Sequence, residues 1–71
     1  MLNRLTDEQY KAAEKTLLQY AFDMNDGKAQ PGEWREDITE AQEIIRKWGF
    51  ETDYRFEKGK QVLYIGNVAR N

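Results

Sequence analysis

The period of the apolar residues changes at Gly49, and this change constrains the fold more than any other feature of the chain. Before it, "ITEAQEIIRKW" places apolar residues at the three- and four-residue spacing of a helix face. After it, "FETDYRFE" alternates apolar with mostly charged residues, as a half-buried strand does. "KGK" then precedes "QVLYI", a run rich in β-branched and aromatic residues. The pattern predicts a helix that leads through one glycine into a β-hairpin.

The first third of the chain predicts another helix. Thr6 and Gln9 have the spacing of a capping box, and Leu5 and Tyr10 have that of a hydrophobic staple. Gly27 is expected to end the helix in the left-handed conformation. The predicted apolar stripe consists of Tyr10, Ala13, Leu17, Ala21 and Met24.

The second helix has two candidate starts. Pro31 could lie in its first turn, which would place Trp34 on the apolar stripe. Alternatively Asp37 or Thr39 is the N-cap residue. We favour the later start at Asp37, because Gly32 is a poor interior helix residue. The stripe of this helix contains Ile38, Ala41, Ile45 and Trp48.

The register of the hairpin depends on the length of its turn. A two-residue turn at 58–59 would place Leu63 and Ile65 beside Tyr54 and Phe56. A three-residue turn would place Val62 and Tyr64 there instead. The two-residue turn is preferred, because it gathers more apolar residues on one face. Those residues are Phe50, Tyr54, Phe56, Leu63 and Ile65.

These elements predict a small single α+β domain in which two helices pack on a C-terminal β-hairpin, in the order α-α-β-β. A winged-helix-like arrangement remains an alternative at this point. The predicted bounds over residues 1–71 are helix 1 at about 6–25, a loop at 26–36, helix 2 at about 37–48, strands at 50–56 and 60–66, and a short tail at 67–71.

The composition restricts the chemistry that 71 residues can perform. The chain has no Cys, no His and no Ser, which excludes disulfides, thiol nucleophiles, acyl-transfer triads and histidine-based metal sites. We therefore expect no enzyme, no cofactor and no metal. No apolar run approaches the length of a membrane span, and the first residues do not have the pattern of a signal peptide. A cytoplasmic, intracellular protein is expected.

Two segments resemble ligand-binding motifs but lack residues that those motifs require. "DMNDGKAQPGEW" has the acids, Asn and Gly of a calcium loop, but an EF-hand requires Gly at its sixth position and Glu at its twelfth, where Lys28 and Trp34 stand. "EKGK" lacks the longer glycine-rich loop of a phosphate-binding site. Both segments are therefore interpreted as turns.

The net charge of −2 conceals an asymmetry between the two halves of the chain. Residues 1–43 hold ten acidic and five basic side chains, whereas residues 44–71 hold three acidic and six basic ones. A winged nucleic-acid-binding domain would use the second helix and the basic hairpin. Its contact residues would be Arg46, Lys47, Arg55, Lys58 and Lys60. Glu40 and Glu43 weaken this hypothesis, because they would lie at the end of the recognition helix that approaches DNA.

The aromatic content favours a protein partner, which could include a second copy of the chain. The chain has two Trp, four Tyr and three Phe, more than so small a core can cover, and Trp and Tyr are frequent in binding hot spots. The candidate apolar contacts are Leu18, Tyr20, Phe22, Trp34, Val62 and Tyr64, with an acidic rim of Glu36, Asp37, Glu40 and Glu43. The return strand of the hairpin is expected to offer an unpaired edge as a second route.

The sequence thus predicts a non-catalytic binding module for protein–protein interaction. The size, the charge and the absence of Cys, His and Ser resemble small regulators, inhibitors and accessory proteins of phages and mobile elements. No residue role is carried over from that resemblance. The acidic helices would also suit an inhibitor that occupies a basic, nucleic-acid-binding site on another protein.

Overall fold

The computed structural model describes residues 7–33 and 35–70 and has the predicted order of helices and strands. The fold is α+β, as predicted, and its strands form one antiparallel sheet in the order β1-β2-β3. The elements are α1 at Asp7–Asn25, α2 at Glu36–Lys47, β1 at Thr52–Glu57, β2 at Lys60–Ile65 and β3 at Val68–Arg70. The predicted capping box and staple depend on Thr6 and Leu5, which lie outside the described residues.

The two helices run antiparallel and cover one face of the sheet. Tyr10, near the start of α1, contacts Trp48 at the end of α2, whereas Tyr20, in the second half of α1, contacts Arg35 before α2. The helix α1 packs along β2, and α2 lies nearest to β1. An ion pair of 3.5 Å between Glu14 and Arg70 joins α1 to β3.

The start of α2 lies one residue before the favoured start at Asp37, but its N-cap residue is neither Asp37 nor Thr39. The helix begins at Glu36, and Arg35 occupies the N-cap position without a side-chain capping hydrogen bond. Asp37, a predicted N-cap, instead accepts hydrogen bonds from the Arg35 guanidinium, at 2.9 and 3.2 Å. The hydroxyl of Thr39 donates to the Arg35 carbonyl at 3.1 Å. Both predicted caps therefore lie inside the first turn.

The second helix ends at the glycine where the sequence predicts the change from helix to hairpin. Gly49 has a φ of +96°, which glycine adopts without steric cost. Its amide donates to the Arg46 carbonyl at 2.8 Å, and the amide of Phe50 donates to the Ile45 carbonyl at 3.3 Å. These two bonds form a Schellman motif. The chain therefore reverses sharply between Trp48 and Phe50.

The hairpin has the predicted two-residue turn. Glu57 pairs with Lys60, and Lys58 and Gly59 between them both have positive φ, as a type I′ turn requires. Tyr54 therefore lies opposite Leu63, on the face that the helices cover.

The segment predicted to be a tail forms a strand at Val68–Arg70, which pairs with β2. A second two-residue turn, at Gly66 and Asn67, makes this possible because both residues adopt positive φ. The return strand β2 is consequently the centre of the sheet, which corrects the prediction that it offers an unpaired edge.

The core lies between the helices and the inner face of the sheet. Leu17, Ile45, Leu63 and Ile65 are its most fully buried large side chains. Two aromatic residues predicted on the core face, Phe50 and Phe56, are instead 43% and 69% exposed. The Phe56 side chain lies on the inner face of β1. It is next to the turn at the end of the strand, where the helices do not cover it.

Candidate functional site

Three aromatic side chains from different elements meet at one end of the domain. The ring of Tyr10 contacts the ring of Trp48 edge to face, with centroids 5.3 Å apart, and that of Phe50 at 6.5 Å. Trp48 is 38% exposed and Phe50 is 43% exposed. We call this cluster of Tyr10, Trp48 and Phe50 the aromatic end. It presents apolar surface that the core does not use.

The chain reversal at the end of α2 creates the aromatic end. Trp48 caps the helix, and Phe50 is the last residue of the Schellman motif, so neither side chain continues the buried stripe of α2. Phe50 instead lies against the turn after β2. A Cβ atom added to Gly66 would approach the Phe50 ring to 2.9 Å, so only glycine permits this close contact. The ring is therefore held in place from one side while its other side faces solvent.

Charged side chains surround the aromatic end. A shallow depression of about 210 Å³ is lined by Tyr10, Trp48 and Phe50 together with Asp7 and Lys11. Beside it, the exposed side chains of Arg46 and Glu51 approach to 3.9 Å. An apolar centre with a charged rim is the usual arrangement of a protein-binding hot spot.

Sequence reasoning missed the aromatic end, because it assigned Trp48 to the stripe of α2 and Phe50 to the core face of the sheet. Gly49 between them was the signal that could have located it. A glycine that reverses the chain ends the helix at Trp48 and turns the chain before Phe50. The side chains of both residues therefore leave their predicted faces.

The predicted apolar contacts do not form one surface. Phe22 is exposed, at 49%, whereas Leu18 packs against the core. Tyr20 is buried, contrary to its predicted role, because the segment after α1 folds over it. Its hydroxyl donates to the Gln30 carbonyl at 2.6 Å and accepts from the Glu33 amide at 3.2 Å. Trp34 lies outside the described residues.

The outer face of the sheet also differs from the prediction. Val62 is buried rather than available for contact, because it lies on the central strand, opposite Arg55. Tyr64 is half-buried beneath the Arg55 guanidinium, which lies 4.2 Å from the centre of its ring. The Tyr64 hydroxyl donates to the Glu57 carboxylate at 2.7 Å, and this hydrogen bond, followed by partial desolvation, raises the pKa of Tyr64.

The predicted acidic rim is exposed along α2, as expected for charged residues on a helix surface. The hydrogen bond from Arg35 lowers the pKa of the Asp37 carboxyl, and the same bond raises the pKa of Arg35. The exposed members are Glu36, Asp37, Glu40 and Glu43. These acids give the helical face of the domain a negative character.

The basic residues of the nucleic-acid hypothesis are not brought together. Arg46 and Lys47 lie at the end of α2, beside the base of the hairpin, whereas Lys58 and Lys60 lie at its tip. A six-residue strand separates the two positions by roughly 20 Å. Arg55 lies between them but is held by Asp53 at 3.3 Å and by Asn67 at 3.3 Å. No continuous basic surface results from these five residues.

The arrangement of helices bears on the same hypothesis. A hairpin does follow α2, as a wing would. Winged domains have a further helix between the first helix and the recognition helix. Here the described residues between α1 and α2 form turns and bends instead. The N-terminal half of α2 exposes Glu36 and Glu40, which would repel a phosphate backbone.

Residues 7–33 and 35–70 contain neither a metal-binding cluster nor a membrane-spanning helix. Among them no group of three or more Asp or Glu side chains is placed to hold a metal ion. Neither described helix is long and apolar enough to cross a membrane.

Comparison of the chain with protein-family models, with curated proteins and with solved structures found no match.

Proposed function

We propose that the protein is a small non-catalytic binding module that recognises another protein through the aromatic end. The observation that carries the proposal is the joint exposure of Trp48 and Phe50 around a shallow apolar depression. Large aromatic side chains bury much area at a small cost in side-chain entropy, so they dominate the energy of protein interfaces.

The charge of the helices indicates the chemistry of the partner. The exposed acids of α2 end one turn before the aromatic end, at Glu43, and Asp7 lies directly on its rim. A partner with an apolar pocket bordered by basic residues would complement this surface. Such a partner is consistent with a regulator or inhibitor that occupies a basic site on another protein. We propose a cytoplasmic location for this activity, with which the lack of cysteine is consistent.

The first test locates the contact with matched alanine variants. The partner is captured from the cells that encode the protein, purified, and titrated against the wild type, Trp48→Ala, Phe50→Ala and Phe22→Ala. We expect Trp48→Ala and Phe50→Ala each to weaken binding by about 30-fold or more, as hot-spot residues do. Phe22→Ala is the control, because it removes an equally exposed phenyl ring from another face. Loss of binding in Phe22→Ala alone would show that the partner contacts the C-terminal half of α1, and it would overturn the assignment.

The second test follows the contact directly. The chain has two Trp residues, so Trp34→Phe leaves Trp48 as the single indole reporter. We expect the emission of Trp48 to shift to shorter wavelength when the partner binds, because the indole leaves water. Unchanged emission at saturating partner would contradict a contact at the aromatic end.

A third test addresses the acidic surface. Charge reversal of Glu36, Asp37, Glu40 and Glu43 together should weaken the complex and reduce its dependence on salt. Unchanged affinity would exclude the basic partner surface while leaving the role of the aromatic end to the alanine variants.

A further inference from the structure

The strand β1 forms a free edge of the sheet. It pairs with β2 on one side, and within residues 7–33 and 35–70 no strand pairs with the other side. The Gly66 amide donates to the Glu51 carbonyl at 2.8 Å, which shows that odd-numbered residues at this end turn their backbone groups toward β2. Because antiparallel pairing alternates, Thr52, Tyr54 and Phe56 turn theirs toward the open edge.

The side chains along this edge carry an alternating charge pattern. Asp53 and Arg55 follow one another on the outer face, and their charged groups lie 3.3 Å apart. Natural sheets often protect a long edge with lysine, proline or a bulge. The described edge of β1 has no lysine or proline, and its only basic residue, Arg55, is paired with an acid of the same strand.

We infer that β1 pairs with β1 of a second copy of this chain, antiparallel and about a twofold axis through Tyr54. In that register each Asp53 lies opposite Arg55 of the second copy, and each Arg55 lies opposite Asp53. The two strands then carry four central charges of alternating sign on one face. At each end of the paired segment Glu57 lies opposite Glu51, which is outside β1. Opposite charges in directly facing positions stabilise a strand pair.

The neighbouring registers are unfavourable. A shift of two residues toward the tip places Arg55 opposite Arg55 and Asp53 opposite Glu57, so all facing charges within the strands repel. A shift of two residues toward the base places Asp53 opposite Asp53 and pairs only residues 52–54 of the two strands. It also places Arg55 opposite Glu51, but Glu51 lies outside β1. A shift of one residue sets outward-facing backbone groups against inward-facing ones, which breaks the hydrogen-bond pattern. Backbone geometry, the length of the paired segment and the charges at its centre together favour the register centred on Tyr54.

The same pairing would cover an aromatic side chain that is exposed on the inner face of β1. Phe56 is 69% exposed, the highest value among the large apolar side chains of the described residues. In the register centred on Tyr54, Phe56 lies opposite Thr52 of the second copy, on the side of the sheet that the helices occupy. Pairing would therefore cover the Phe56 ring. The other edge, β3, has only three described residues and offers a shorter template.

This interface extends the proposed binding function to a second surface and does not depend on the aromatic end. The experiment uses charge exchange at the paired positions. The variants are Asp53→Arg, Arg55→Asp and the double exchange of both. Asp26→Arg and Lys28→Asp are the matched controls, since they change the net charge equally at an exposed turn away from β1. Masses are measured by sedimentation in low-salt buffer at protein concentrations up to about 1 mM, because a short strand interface is weak.

The wild type and both controls should form a dimer of twice the 8.4 kDa chain mass. Each single exchange places like charges opposite one another, so the dissociation constant should rise about tenfold or more. The double exchange should restore the dimer. An equimolar mixture of Asp53→Arg and Arg55→Asp should form a heterodimer, because both facing pairs of positions 53 and 55 are then of opposite sign.

The mixture also tests whether the variants are folded. Unfolded chains would not form the heterodimer, so its formation shows that each single exchange acts on the pairing and not on the fold. A wild type that stays monomeric at the highest concentration would overturn the inference. Single exchanges that dimerise as well as the wild type would also overturn it. So would a mixture that stays monomeric while each component retains its circular dichroism spectrum. Partner binding through Trp48 would be unaffected by any of these results, so the two proposals fail separately.

Discussion

The hydroxyl of Tyr54 donates a hydrogen bond of 2.7 Å to the carbonyl of Leu17, and this bond ties β1 to the middle of α1. The Tyr54 ring also contacts the ring of Tyr20 edge to face, at 5.5 Å between centroids. The sheet and the helices are therefore joined at Tyr54 by a polar contact as well as by aromatic packing.

Tyr54→Phe should destabilise the protein by about 1 kcal/mol, the usual net contribution of such a hydrogen bond. The loss is modest because the Leu17 carbonyl also lies within α1, where it can accept a helical hydrogen bond. Urea unfolding of the variant and the wild type measures the difference. A loss above about 3 kcal/mol would indicate that the ring itself has moved.

The same residue predicts a response to alkaline pH. Burial raises the pKa of Tyr54, and the neighbouring Tyr20 raises it further. The fold therefore favours the protonated hydroxyl, and this contribution is complete below the unfolded-state value of about 10. It is lost as the pH rises through the higher folded-state pKa. The stability difference between the wild type and Tyr54→Phe should therefore shrink above about pH 10, which urea midpoints across that range would show.

Asn25 joins the end of α1 to the hairpin near its tip. Its side-chain amide donates to the Gln61 carbonyl at 3.0 Å, and its side-chain carbonyl accepts from the Gln61 amide at 2.7 Å. Asn25→Ala should cost about 1 kcal/mol, since water can replace part of this exposed contact. Hydrogen exchange of the Gln61 amide should accelerate. Asn25→Asp retains the acceptor and should protect that amide more than alanine does; equal exchange in both variants would contradict the role assigned to the carbonyl oxygen.

Glycines in the two sheet turns should respond differently to alanine. Gly59 and Gly66 both have positive φ, but a Cβ at Gly59 would meet nothing within 4 Å, whereas one at Gly66 would meet Phe50 at 2.9 Å. Gly59→Ala should cost about 1 kcal/mol from backbone strain alone. Gly66→Ala should cost about 1 kcal/mol more, because the Phe50 ring must move. In a Phe50→Ala background the extra cost should vanish; its persistence would show that Phe50 is not the residue displaced.

The fold followed from local signals that act at short range. The Lys58–Gly59 turn fixed the register of β1 and β2, and Gly49 fixed the end of α2, as predicted. The third strand was missed although "GN" at Gly66–Asn67 is itself a hairpin signal between two β-prone segments.

The exposed surface could not be predicted in the same way. Alternation shows which face of a strand Phe56 occupies, but not how far the helices extend over that face. Similarly, the burial of Tyr20 depends on the path of the loop after α1, in which the Gln30 carbonyl accepts a hydrogen bond from the Tyr20 hydroxyl. The spacing of apolar residues does not predict that path. The aromatic end arises from the meeting of three elements, so periodicity within any one element could not reveal it.

The nucleic-acid hypothesis makes a separate prediction about salt. A labelled mixed-sequence duplex should show no binding to the wild type at moderate salt. The reason is that the basic residues at 46–47 and 58–60 lie at opposite ends of the hairpin, while α2 presents acids. Any weak binding at low salt should be lost equally in Lys58→Ala and Lys47→Ala, because non-specific attraction depends on net charge rather than on one surface. Anisotropy of the label measures both. Binding that falls steeply with salt, and that Lys58→Ala with Lys60→Ala abolishes while Lys47→Ala does not, would show that the hairpin tip acts as a wing. Such a result would replace the protein-binding proposal.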